Sequence, residues 1–178
     1  MNFDRLAPHY DWMERLGAGR TMQRARVHWL DALAGCTHVL SVGEGPGRFA
    51  EAFVTRYPHA HLTVVESSAA MLARARRRVT RATRREHRRP ITWTSAHLAH
   101  WQPPPHRYDA IVTNFFLDLF PPDDLGDIVA QLARAAMPTA IWLVADFAPP
   151  AAGVGGLPTR ALHAAMYAFF RHTTHVPA

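Results

Sequence analysis

The sequence predicts an α/β protein: a doubly wound, mostly parallel sheet with helices on both faces. Three observations predict it. Short β-branched runs alternate with stretches that carry apolar residues at helical spacing. Prolines fall between these segments. Three glycines, Gly43, Gly45 and Gly47, stand at every second position where the first run gives way to a helix.

Residues 38–43 (HVLSVG) and 61–66 (HLTVVE) read as the first two strands, short and rich in Val. Residues 91–95, 110–116 and 140–147 continue the series. Helices are expected over 48–57, 69–85 and 122–136, the last with a stripe of Leu125, Ile128, Val129 and Leu132. Pro58, Pro90, the prolines at 103–105, Pro121, Pro122 and Pro138 lie where elements should end. Near the C-terminus, Leu162, Ala165, Met166 and Phe169 mark one more helix over 158–172. Its His163, Tyr167 and Arg171 share another face. The 178 residues, 48% hydrophobic, suffice for one sizeable core, so a single domain over 1–178 is expected. Within it, 1–30 would form a helical cap and 38–147 the ligand-binding core.

Composition excludes several classes. The single cysteine, Cys36, rules out a disulfide framework and fits a reducing cytoplasm. No Cys/His spacing supports a metal site. No run approaches the roughly 18–20 apolar residues of a membrane span. The opening MNFDRLAPHYDWMERL carries acids and is unlike a secretory leader. A soluble cytoplasmic protein is expected. The net charge of +6 is local: residues 74–89 hold nine arginines and one glutamate, and the rest of the chain is slightly acidic. A solvated helix face explains that run; a polyanion-binding patch is the alternative.

In an open parallel sheet, ligands bind beyond the carboxyl ends of the strands, where strand order reverses. Glycines after the first strand let a ligand approach bare backbone. The next helix aims its N-terminal N–H groups at the same place. A dinucleotide fingerprint, G-x-G-x-x-G, would need a third glycine where Arg48 stands. The spacing here is G-x-G-x-G. Glu66, which ends the second strand, can accept both ribose hydroxyls of an adenosine. It serves dinucleotide cofactors equally well.

The G-x-G-x-G loop resembles the first motif of class I S-adenosylmethionine-dependent methyltransferases. VVESSAAMLARAR (64–76) resembles their second motif, and FDRLAPHYDW (3–12) the N-terminal segment of small-molecule members. YDAIVTNFFLDLF (108–120) and IWLVADF (141–147) resemble a bacterial branch with FFLD after strand four. The resemblance implies a Rossmann-like fold and S-adenosylmethionine as cofactor. It implies contacts from Gly43, Glu44, Gly45 and Gly47 in the loop, from Glu66 and Ser67 at the ribose, and from Met71 at the adenine. Tyr10 would fold over the methionine end, and Asn114 would reach the cofactor from strand four.

Two positions depart from the pattern. Ser41 stands where the family has an acid near the cofactor's amino group. His97 stands where an acid usually meets the adenine amino group; a neutral imidazole can accept that bond, and Ala96 can offer its backbone. After residue 147 we expect no room for the family's strands six and seven, through either a fragment or a natively abbreviated fold, so an apolar fifth strand would be left as an edge. Such an edge is expected to be covered by residues 148–178 or paired in a homodimer. The acceptor should sit near strands four and five, where Asn114, Phe115, Phe116, Asp118 and Asp146 lie, with Asp118 as candidate base. No Asn-Pro-Pro-aromatic motif follows strand four and no Pro-Cys nucleophile is present, so a small-molecule acceptor is favoured over nucleic acid. The alternatives are an RNA or DNA methyltransferase using the arginine run, and a non-catalytic cofactor-binding relic.

Overall fold

The computed structural model describes residues 19–83 and 91–147. Tyr10 and its segment, residues 84–90 of the arginine run, the helix expected over 158–172, and the question of strands six and seven lie outside the described residues. The elements are α1 (Gly19–Val27), β1 (His38–Val42), α2 (Arg48–Arg56), β2 (His61–Glu66), α3 (Ala69–Ala82), β3 (Ile91–Ser95), β4 (Tyr108–Asn114), α4 (Pro122–Ala135) and β5 (Ala136–Ala145). Short 3-10 turns occupy Leu30–Leu33, Leu98–His100 and Leu117–Leu119.

All described strand pairs are parallel, in the order β3-β2-β1-β4-β5. Alternate residues of β1 feed opposite faces. Val39 joins Leu62, Val64 and Val112 in a core with Phe49 and Phe53 of α2 and Leu72 and Val79 of α3. Leu40 and Val42 join Val65 and Ile111 in a second core under Ile128 and Leu132 of α4. Both faces of the sheet are therefore covered, which is why its central strands read as near-continuous apolar runs. Each large side chain so buried contributes about 1.5–3 kcal/mol.

Local signals set the helix ends. Ser68 caps α3, its hydroxyl accepting the Met71 N–H at 3.1 Å. Pro122 opens α4 with Asp123 and Asp124 in its first turn. Gly47, at φ +86°, starts α2, and a Cβ there would lie 2.5 Å from the Ala75 Cα. The third glycine thus lets α2 and α3 touch. Asp109 pins the start of β1, accepting from the Thr37 and His38 N–H groups at 2.6 and 3.0 Å.

Strand four runs Tyr108–Asn114 and not 110–116, and two further element expectations change. Strand five begins at Ala136, directly after α4, and not at residue 140. Its register slips between Tyr108↔Ala136 and Ala110↔Ile141, so Pro138 lies in an irregular stretch of an edge strand, where its missing N–H breaks no regular ladder. Val129, expected in the buried stripe of α4, is 37% exposed, whereas Ile128, Leu132 and Ala135 are buried.

Candidate functional site

The carboxyl ends of β1, β2 and β4 open into one pocket. The chain leaves β1 toward β2 on one side, while β4 flanks β1 on the other, so the pocket lies at the reversal of strand order. Of the residues assigned to the site from sequence, Gly43, Glu44, Gly45, Glu66, Ser67, Met71, Ala96, His97 and Asn114 line it. Ser41, Gly47 and Asp118 do not line it. Ser41 is buried behind the loop and Gly47 packs on α3.

Gly43 and Gly45 adopt φ of +68° and +62°. A Cβ on Gly43 would fall 2.1 Å from the Phe116 ring, so that aromatic side chain rests directly on bare backbone. The Gly43 N–H donates to the Val65 carbonyl at 2.9 Å and carries the β1–β2 ladder into the turn.

Two buried carboxylates divide the loop between them. Glu66 is 6% exposed; its Oε2 accepts the Gly45 N–H and its Oε1 the Ser68 N–H, each at 2.8 Å. Oε1 also accepts from the Ser67 hydroxyl at 3.4 Å, and Oε2 retains a lone pair for a further donor. Burial pushes its carboxyl upward, against the pull of these hydrogen bonds. Glu44 is 9% exposed, its Oε2 accepting from the Ser41 hydroxyl and its Oε1 from the Ala50 N–H at 2.9 Å. Burial raises its carboxyl too, while Ser41, the N–H groups of Ala50 and Phe49, and the nearby Arg26 lower it. Glu44 thus stands on the N-terminus of α2. The expectation that this helix offers its first N–H groups to a ligand is corrected here, because Glu44 takes the Ala50 N–H.

Beyond the glycines the wall is apolar and mostly aromatic: Phe115, Phe116, Leu119 and Phe120. Phe115 holds φ +53°, an uncommon backbone for a bulky residue. Its N–H donates to the Ala145 carbonyl at 2.7 Å, and its ring lies 4.9 Å from that of Phe147. Asp118 sits in the adjoining turn beside Asp146, whose Oδ2 accepts the Leu117 N–H at 3.2 Å. Burial and then the Asp118 charge push the Asp146 carboxyl up to about 7. His97 Nδ1 accepts from the Ala99 N–H, and burial holds its imidazole toward the neutral form.

Three contributors escaped sequence reading. Arg26 of α1 is buried and lines the pocket. Arg78, part of the run expected to be solvent-exposed, donates from Nε to the Pro46 carbonyl at 3.0 Å and pairs with Glu51. It braces the glycine loop from α3. The capping by Glu44 was the third; a glutamate inside a glycine loop and six residues before its partner carries no local cap pattern.

Residues 39–139 match the family model described as a methyltransferase domain. The chain belongs to this methyltransferase family. The match covers β1 through the first residues of β5, and so includes every described residue of the pocket from Val42 onward. Among relatives, the methyltransferase chain is 34% identical over 100 residues to trans-aconitate 2-methyltransferase of Paracidovorax citrulli, covering 54% of this chain and 35% of that protein. It is 40% identical over 76 residues to the ubiquinone/menaquinone biosynthesis C-methyltransferase of Syntrophotalea carbinolica, covering 41% and 32%. The matches thus span about a third of the length of these relatives. Its fold is similar to that of mitomycin 7-O-methyltransferase, with a TM-score of 0.68 at 17% identity over 91% of this chain and 48% of that one.

Proposed function

We propose that this chain is an S-adenosylmethionine-dependent methyltransferase acting on a small-molecule acceptor. The observation that carries the reading is the placement of its two buried glutamates. A dinucleotide lays its pyrophosphate on the helix start after β1. Here the Glu44 carboxylate holds that place and would repel a second anion. A sulfonium cofactor brings an ammonium and no phosphate, and its adenosine meets Glu66 in the usual way.

The residues fit the group. Glu66 keeps a lone pair on Oε2 for a ribose hydroxyl, and the Ser67 hydroxyl, 3.4 Å from Oε1, can give way to a second. Met71, Ala96 and neutral His97 flank the base. Gly43, Gly45 and Asn114 face the amino-acid end, with Ser41, Glu44 and Gly47 shaping the loop; the contact expected from Tyr10 lies outside the described residues. When bound, S-adenosylmethionine supplies an electrophilic methyl group on sulfur. The aromatic wall orients an apolar acceptor toward Asn114 and excludes water. Asp118, beside Asp146 in the Leu117–Leu119 turn next to the pocket lining, is the group we assign to take the acceptor's proton. The named relatives act on small molecules, which supports that class over nucleic acid. Of the arginine run, Arg78 is turned to Pro46 and Glu51, and Arg76 lies 5.8 Å from the Trp93 ring. Among the described residues no helix is long and apolar enough to cross a membrane, and we place the chain in the cytoplasm, with 1–178 as one domain.

Calorimetric titration with S-adenosylhomocysteine and, separately, NAD tests the reading. S-adenosylhomocysteine should bind, and Glu66→Ala should weaken it by about 1.5–3 kcal/mol, the range for charge-assisted bonds. Binding of NAD alone, or an unaffected Glu66→Ala, would overturn it.

A further inference from the structure

We propose that Gln131 of α4 is a positioning residue for recognition of the cofactor's base: its carboxamide holds the turn that sets Ala96, His97 and Leu98 against the pocket. The inference rests on the cofactor reading above. Gln131 stands in the stripe that α4 turns toward the sheet, a half-buried polar residue among Leu125, Ile128, Leu132 and Ala135. An amide in such a place costs free energy unless its N–H groups find acceptors. Here they do. Nε2 donates to the Leu98 carbonyl at 3.0 Å and to the Trp101 carbonyl. Both partners are carbonyl oxygens, so the nitrogen end of the amide must face them, and its two N–H groups are both used.

The turn gains from that support. A 3-10 turn of three residues closes few bonds of its own. The His100 N–H donates to the His97 carbonyl at 2.9 Å, the Trp101 N–H to the Leu98 carbonyl at 3.2 Å, and the Ala99 N–H to His97 Nδ1 at 3.4 Å. At its near end the segment is tied to the sheet, where the Ala96 N–H donates to the Glu66 carbonyl at 3.2 Å. At its far end Gln131 ties it to α4. Leu98 also packs in one core with Ile128 and Leu132. That contact is non-directional and sets depth, whereas the two hydrogen bonds set orientation. Between the two ties, Ala96, His97 and Leu98 line the pocket. Glu66 pairs in register with Ser95, so a ribose held by Glu66 brings its base to the residues that follow β3. Gln131 does not line the pocket itself, and its effect on a ligand passes through the turn.

The test compares S-adenosylhomocysteine with S-inosylhomocysteine on the full chain by calorimetry. The 6-oxo base exchanges donor and acceptor along one edge, so the ratio of the two affinities reports how firmly that edge is read. The parent should prefer adenine by about tenfold or more. Gln131→Met keeps the length and suits a helix but has no donor; it should cut the preference to about threefold or less. Gln131→Lys, whose ammonium can donate to both carbonyls, should keep it near the parent's. An unfolded fraction lowers both affinities alike and leaves the ratio unchanged, so lost stability does not mimic the result. If Gln131→Met is insoluble, Gln131→Glu, ionised and without a donor, is measured in its place. An unchanged preference in the donorless variant, or a parent that binds both bases alike, would overturn the inference and leave the cofactor reading standing. So would an equal loss in Gln131→Met and Gln131→Lys, which would trace the effect to side-chain shape. A parent that binds neither ligand would overturn the cofactor reading itself, and this inference with it.

Discussion

Asp146 illustrates how one residue records its surroundings. Its carboxyl titrates near 7 in the folded chain against an ordinary value of 3.8, because burial and the neighbouring Asp118 both disfavour a second charge. Between those values the folded chain keeps a proton that the unfolded chain has released. The stability contributed by the protonated carboxyl is therefore present at low pH and lost as pH rises from about 4 to about 7. Asp146→Asn retains an oxygen for the Leu117 N–H and removes the charge. Its thermal midpoint should equal the parent's near pH 3 and exceed it by a margin that grows up to about pH 7. A gap that does not widen with pH, measured by calorimetry across that range, would mean that the two carboxyls do not share a proton. At this scale the glycines and Glu66 were legible in the sequence, since their spacing is set by one strand-turn-helix. Arg26 and Arg78 were not, because each meets its partner across an element boundary and looks in sequence like any surface arginine.

At the scale of elements, the stripe of α4 separates pattern from packing. Helical spacing alone admits Leu125, Ile128, Val129 and Leu132 to one face. The sheet accepts a narrower strip: Leu132 is fully buried and Val129 is 37% exposed. Leu132→Ala should cost about 2–5 kcal/mol, through lost burial and the cavity left behind. Val129→Ala should stay within about 0.5–1 kcal/mol, as for surface changes. Urea titration of both variants gives the comparison, and equal losses would contradict the burial described. Strand five shows the opposite error. Pro138 argued for a break, yet an edge strand with a register shift carries it.

For the molecule as a whole, the open question is the far side of β5. The described sheet ends there, and Ile141 and Val144 are 39% and 51% exposed. IWLV holds no charge and no proline to discourage pairing. We therefore expect β5 to be covered by residues 148–178 or paired with a second copy of the chain. Light scattering of the full chain, and of a chain ending at residue 147, should give a dimer in one of the two or aggregation of the shorter one. Two soluble monomers would count against this expectation.

The sequence by itself determined the alternation of strands and helices, the glycine turn, the acid at the end of β2 and the family to which these belong. All of them are short-range patterns, fixed by backbone sterics, periodicity and spacing within a few residues. Tertiary structure decided which charges face one another. It put Glu44 on the start of α2, Arg26 against Phe115, Phe116 on Gly43, and Asp118 beside Asp146. These partners lie up to 89 residues apart for Arg26 and Phe115. The distant pairs meet because parallel strands end side by side at the carboxyl edge of one sheet, and burial there turns ordinary surface residue types into the working parts of a site.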